Sequence, residues 1–323
     1  MHDAPEPTAI AETGWAGEPV DPFLRWVGGK RGLLRHYGYR LPRPERARGY
    51  REPFLGGGAM YFGRFSAIRP ARLADRNRRL IDAYRAIRDE PAALLWELSP
   101  GRHPYTREYF EKIRRLLNTR PDAPLVLRAS WFLIIVAWGF NGLYREAQNG
   151  ACNTPFGKPS KPGTIPPLCS PAAILACSAA LQRADLSVMP FEQLLADVEE
   201  DEIIYLDPPY DPLSTTASFT SYSAGGFSYE PEVPAEQNML FADTAVPRKL
   251  TDWQRLCVIL ADLSSRGAHW VLSQSATDRT VADLRGYYML EIQMRRSLSS
   301  DIETREDVTE LLVSNRPFPE ARR

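Results

Sequence analysis

A chain of 323 residues, 44% of them hydrophobic, holds enough apolar material for one large or two coupled domains. Its 40 basic and 40 acidic side chains cancel to a formal net charge of zero, so bulk charge argues for no nucleic-acid or membrane partner, and any such signal must be local. Four cysteines (Cys152, Cys169, Cys177 and Cys257) lack C-x-x-C spacing and nearby histidines; they exclude a zinc site or disulfide framework and read as reduced, mostly buried thiols.

Residues 1–21 are rich in Pro, Glu and Ala and carry no basic segment followed by an apolar one; a disordered extension of a soluble, cytoplasmic protein is expected. Phe23 to Arg31 then puts the flat ring of Trp26, the pair Gly28 and Gly29, and Lys30 together, which suits either an anionic group or a turn with solvated charges. A strand is expected to end at Glu52. Pro53, Phe54, Leu55 and the run Gly56 to Gly58 follow, where glycines let backbone approach a ligand, before a helix over 59–66. The run fits a plain tight turn equally well, and Tyr61 stands where a dinucleotide motif wants its third glycine. A second strand, 71–74, leads into Asp75, placed either to accept hydrogen bonds from a ribose diol or as a surface acid. Leu80, Ile81, Tyr84 and Ile87 mark one face of a helix over 77–88.

After Pro91 the pattern is helical only. It includes the apolar run Trp131 to Trp138, which is far shorter than the roughly 20 residues a bilayer span needs and reads as a buried core helix. A Gly/Asn-rich stretch covers 139–157. Strands are expected again at 184–188, 202–206 and 269–273, a helix at 251–266, and late strands at 288–294 and 308–314. The sum is a mostly parallel α/β sheet interrupted by a helical insertion.

The strand at 202–206 closes on Asp207-Pro208-Pro209-Tyr210, which in an open sheet faces the crevice where ligands bind. A planar ring amine such as that of adenine is a poor nucleophile because its lone pair is delocalised. The Asp207 carboxylate and the Pro208 carbonyl can each accept one amine hydrogen and aim that lone pair at an electrophile, while the prolines stiffen the turn and remove competing donors. Tyr210 can stack on an unstacked base. Taken alone, the tetrapeptide also fits a rigid turn after a buried strand.

In their order along the chain, FLRWVGGKRGLL (23–34), YREPFLGGGAMYF (50–62), FNGLYREAQNGACNTPFGK (140–158), IIYLDPPYDPLS (203–214), FTSYSAGGF (219–227) and RRSLSSDIETREDVTELLVSN (295–315) resemble the Dam-type, α-group DNA adenine methyltransferases over nearly the whole length. The resemblance implies a Rossmann-like class I methyltransferase sheet with an inserted, mainly helical target-recognition domain containing a β-hairpin. It implies S-adenosylmethionine as cofactor, double-stranded DNA as partner, and transfer to N6 of a flipped adenine, with no metal and no membrane. Trp26, Gly28, Gly29, Lys30, Glu52, Pro53, Phe54, Gly56, Gly58, Asp75, Asn77, Phe191 and Asp207 would surround the cofactor, and Asp207, Pro208, Pro209 and Tyr210 would carry the transfer. Leu143, Arg145 and Pro155 stand where GATC-reading members have their leucine, arginine and proline. Asn141, Asn153, Lys158, Ser221 and Tyr222 join them as DNA contacts.

Three departures stand out. Pro190 precedes Phe191 where the family shows an acid, Pro159 replaces a tyrosine, and 229–247 is an apparent acidic insertion carrying Glu230, Glu232, Glu236 and Asp243, expected as a surface loop. The expected organisation is a catalytic domain of 22–90 and 170–316, a recognition domain of 91–169 and a tail of 317–323, acting as a monomer or weak dimer. Methyl transfer to RNA or to a protein glutamine, or a DNA-binding homologue with impaired catalysis, are the alternatives.

Overall fold

The computed structural model describes residues 19–24, 26, 28–158, 164–211, 226–229, 250–295 and 307–320. Ser221, Tyr222, Pro159 and the proposed insertion beyond Tyr229 lie outside the described residues. The described strands are β1 (Gly49–Glu52), β2 (Ala71–Asp75), β3 (Ala184–Val188), β4 (Glu202–Leu206), β5 (His269–Ser275), β6 (Tyr288–Arg295) and β7 (Asp307–Ser314). They form one sheet in the order β3-β2-β1-β4-β5-β7-β6. Neighbours from β3 to β5 pair in parallel, and β7 enters antiparallel between β5 and β6. The chain steps outward from β1 through β2 to β3, then returns to β4 and proceeds the other way. The order therefore reverses between β1 and β4, the place where open α/β sheets open a crevice at their carboxyl ends. This is the Rossmann-like arrangement expected from the sequence.

The helices are α1 (Arg31–Tyr37), α2 (Arg78–Asp89), α3 (Pro91–Glu97), α4 (Arg107–Thr119), α5 (Leu125–Trp138), α6 (Pro171–Leu181), α7 (Phe191–Leu194), α8 (Asp252–Ser265) and α9 (Asp278–Asp283). They cover the sheet on two faces because the central strands alternate with period 2. Ile203, Tyr205 and Val271 enter one core with Ile81, Phe132 and Ile174, whereas Ile204, Leu206, Trp270 and Leu272 enter another with Phe191, Trp253 and Leu256. Each large side chain so buried contributes about 1.5–3 kcal/mol. Helix starts follow the local chemistry: Asn77 accepts from the Leu80 amide at 3.1 Å, and Thr251 with Gln254 forms a capping box.

Two segments differ from expectation. The helix expected over 59–66 winds from Tyr61 to Phe65 as a π turn, which lets Tyr61, Phe62, Arg64 and Phe65 all be buried. The expected β-hairpin is a folded-back loop carrying two isolated antiparallel bridges, Gly139 with Phe156 and Glu146 with Cys152. Backbone bonds join its arms, among them the Phe140 amide to Pro155 O at 2.9 Å and the Asn153 amide to Arg145 O at 3.1 Å, and side chains add to them: Arg114 donates to the Thr154 carbonyl at 2.8 Å, and the Arg145 amide donates to Thr154 Oγ1 at 2.9 Å. The chain is already held at residue 20, where the Val20 amide donates to Phe62 O at 3.1 Å. No helix among the described residues is long and apolar enough to cross a membrane.

Candidate active site

Asp75, Glu52 and Asp207 end or follow β2, β1 and β4, adjacent strands in the sheet, so three carboxylates share one edge at the reversal point. Glu52 is 2% exposed and accepts from the Tyr50 hydroxyl at 2.7 Å. Burial pushes its carboxyl up to about 8 against the lowering effect of the Tyr50 bond, and the charges of Asp207 and Asp75 add to the rise. Asp75 turns back onto the glycine corner: its oxygens accept from the Gly56 amide at 3.0 Å and the Asn77 amide at 2.9 Å. Gly56 has φ +47°, and a Cβ there would meet the Trp26 ring at 3.0 Å, so only glycine suits this contact. Phe54 and Phe191 pair with ring centroids 5.4 Å apart, bringing two residues expected near the cofactor together. With Pro190 ahead of it, Phe191 begins α7 and is buried.

Asp207 is bound by Lys30, whose Nζ lies 2.9 Å from Oδ1 and also donates to Gly28 O at 2.8 Å. The same ammonium sits 4.7 Å from the centroid of the Tyr210 ring. Burial pushes the Asp207 carboxyl up to about 6, opposed by Lys30 and reinforced by Glu310. The Asp207 side chain remains 19% exposed, so the turn is not sealed in the interior.

The turn itself is held from behind. Tyr210 donates to Glu310 on β7 at 2.7 Å. The Tyr229 hydroxyl donates to the Pro209 carbonyl and accepts from Gln274 of β5 at 2.9 Å, while Gln274 Oε1 accepts from the Asp211 amide at 3.0 Å. No described residue donates to the Pro208 carbonyl. Tyr229 packs against the core of Phe191 and Trp253, so the segment expected as a surface loop from residue 229 begins with a structural anchor. The motif alone could not point to Gln274, Tyr229 and Glu310, because their partners lie on other strands.

The folded-back loop buries Tyr144, Cys152 and Thr154 and exposes Arg145, Asn153 and Pro155, so the residues expected to read DNA share the outward positions of the two arms. Asn141 and Lys158 are exposed and Leu143 is half-buried. Phe140, which the sequence did not single out, keeps 49% of its surface exposed at the loop root. Tyr144 stacks on Trp26 (5.9 Å, 25°), joining this loop to the glycine corner. A groove of about 300 Å³ opens between the start of α2, the end of α4 and this loop, lined by Arg76, Arg78, Arg79, Asn118, Glu146 and Gly150 among others. A second groove, about 600 Å³, runs along β3 away from this corner; its Arg85 and Arg88 are bound to the Leu186 and Ala184 carbonyls. Among the described residues no cluster of His, Cys, Asp and Glu could hold a metal.

Comparison with known proteins agrees with this arrangement. The family model for D12 class N6 adenine-specific DNA methyltransferases matches residues 26–240. A Type II methyltransferase from Lactococcus lactis subsp. cremoris is 30% identical over 301 residues, covering 91% of this chain and 95% of its own. A DNA adenine methylase from Vibrio cholerae is 32% identical over 90% of this chain and 94% of its own, and one from Escherichia coli is 29% identical over 91% and 95%. A strand-end carboxylate turn beside a glycine corner, in a chain matched across both, has one assignment: the protein belongs to the D12 class N6 adenine-specific DNA methyltransferase family.

Proposed function

We propose that the protein transfers a methyl group from S-adenosylmethionine to N6 of an adenine unstacked from duplex DNA, with GATC as its sequence. The observation that carries this reading is the cluster of Asp207, Lys30 and Tyr210 at the sheet's reversal point, partly open and beside Glu52. The corner suits the cofactor's chemistry. A buried Glu52 pushed up to about 8 regains its charge most easily when a cation is supplied, and an aminoacyl sulfonium carries two positive groups. Glu52 with the Phe54 and Phe191 rings would line its site, and the Asp75 corner would hold the glycine turn against it. The cofactor supplies the electrophilic methyl group.

The chain's own groups do the rest by position and electrostatics. The Asp207 carboxylate accepts one amine hydrogen of the adenine and the Pro208 carbonyl the other, turning the nitrogen's lone pair toward the methyl. Tyr210, steadied by Glu310, offers its ring to the base, a contact worth about 1–3 kcal/mol that offsets part of the cost of unstacking. Phe140, exposed at the loop root, offers a second stacking surface, and Arg145 takes a guanine edge. Asn153 and Lys158 suit phosphates.

Asp207 must be ionised to accept, so activity is expected to fall with pH below about 6, roughly tenfold per unit, as the carboxyl protonates. Lys30 holds that carboxyl down; Lys30→Met therefore moves the acid limb to higher pH. A single-turnover rate profile across pH 5 to 8 checks this, and an unmoved limb would show that Lys30 does not set the charge of Asp207. The function itself is tested by modified-base sequencing of DNA from cells expressing the protein. N6-methyladenine in one short sequence is expected; methylation of another atom, or none, overturns the reading.

A further inference from the structure

Arg79 lies on α2, one helical turn beyond the Asp75 corner, and its guanidinium reaches into the recognition loop. Nη1 donates to Tyr144 Oη at 2.9 Å, Glu146 Oε1 at 3.0 Å and Gly150 O at 3.0 Å; Nη2 donates to Asn118 Oδ1 at 3.0 Å. Asn118, on α4, also accepts from the Cys152 amide at 2.8 Å and donates to the Cys152 carbonyl at 2.9 Å, so the returning arm of the loop joins the same knot. The Tyr144 hydroxyl donates to Glu146 Oε1 at 2.7 Å.

Both chain neighbours of Arg145 are thus drawn inward to one side chain. In extended backbone, adjacent side chains point to opposite sides. With positions 144 and 146 held in, Arg145 must point out, and it is exposed. Its backbone is fixed as well: the amide donates to Thr154 Oγ1 at 2.9 Å and the carbonyl accepts from the Asn153 amide at 3.1 Å. A planar guanidinium can hold several acceptors in one fixed geometry, which a lysine ammonium cannot copy.

We propose that Arg79 is a specificity-positioning residue: by fastening both neighbours of Arg145 to the helix behind the glycine corner, it sets which base edge Arg145 meets. The proposal rests on the reading of Arg145 as a base-contacting residue. It gives Arg79 no contact with DNA or with the reacting atoms.

The test uses the full chain and the variants Arg145→Ala, Arg79→Gln, Arg79→Lys and the double Arg79→Gln/Arg145→Ala. Each methylates a plasmid library with randomised sites, and modified-base sequencing reports selectivity at every position without presupposing the sequence. Thermal unfolding and S-adenosylmethionine binding are measured beside it. Arg145→Ala is expected to relax one base pair by roughly 5- to 150-fold. Arg79→Gln is expected to relax the same base pair by roughly 5-fold or more, with cofactor affinity unchanged, and the double variant to be no less selective than Arg145→Ala alone. Should Arg79→Gln fail to fold, Arg79→Lys and Glu146→Gln carry the same readout. Variants at Arg79 that keep full selectivity at that base pair, lose rate equally at all sites, or multiply with Arg145→Ala overturn the proposal. An unchanged preference in Arg145→Ala itself overturns the reading of Arg145 instead, and the two failures are thereby told apart.

Discussion

Asp207→Ala is expected to lower kcat on the order of 10²- to 10³-fold while leaving the fold and DNA binding nearly intact. The substitution removes an acceptor that matters most when the adenine nitrogen pyramidalises, so the loss falls on the transition state. Lys30 loses its carboxylate partner but keeps its bond to Gly28 O, and the turn stays in place. Tyr210 keeps its bond to Glu310, and the turn keeps its support from Tyr229 and Gln274. Asp207→Asn preserves a carbonyl oxygen and loses less. Single-turnover methylation of a duplex oligonucleotide, with cofactor binding measured by titration, separates the two contributions. Rates within a few-fold of the parent would remove Asp207 from the chemistry.

Arg51→Ala is expected to destabilise the protein by about 3–5 kcal/mol, the usual cost of removing one partner of a buried ion pair. Arg51 is 1% exposed on the central strand β1, and its Nε lies 2.7 Å from Glu202 Oε2 on β4. The same guanidinium donates to Asp197 and to the Asp197 carbonyl, so the change strands a buried carboxylate and the acceptors of the α7–β4 connection. Arg51 and Arg72 together hold the Asp197 carboxyl down at about 2. The midpoint of urea unfolding reads the loss. Arg51→Met with Glu202→Leu should recover most of it, since two matched apolar groups leave no charge buried. An unchanged midpoint for Arg51→Ala would mean that water reaches Glu202 and the pair is dispensable.

The two outcomes concern different parts of one design. Arg51, the residue before Glu52 on β1, reaches Glu202 at the start of β4, and Glu52 and Asp207 stand at the carboxyl ends of the same two strands. The pairing of β1 with β4 that Arg51 reinforces also keeps the two carboxylates side by side. The crevice exists because the strand order reverses between β1 and β4.

What the sequence determined by itself was local. The apolar stretch from Ile203 to Leu206 ending in Asp207, the glycines after Glu52, the acid closing β2 and the helical face of Leu80, Ile81 and Tyr84 follow from periodicity and turn chemistry, which act over a few residues. The ordered motifs also marked the family. Only the tertiary structure decided which of those residues meet. Lys30, taken from the sequence as a group for the cofactor, is drawn to Asp207 and Tyr210. Asp75 bonds the glycine corner, Tyr229 supports the Pro209 carbonyl, and Arg79 ties the loop that presents Arg145. These contacts join residues far apart in the chain. They depend on the order of strands and the path of crossovers, and on side-chain geometry that no short window of sequence encodes.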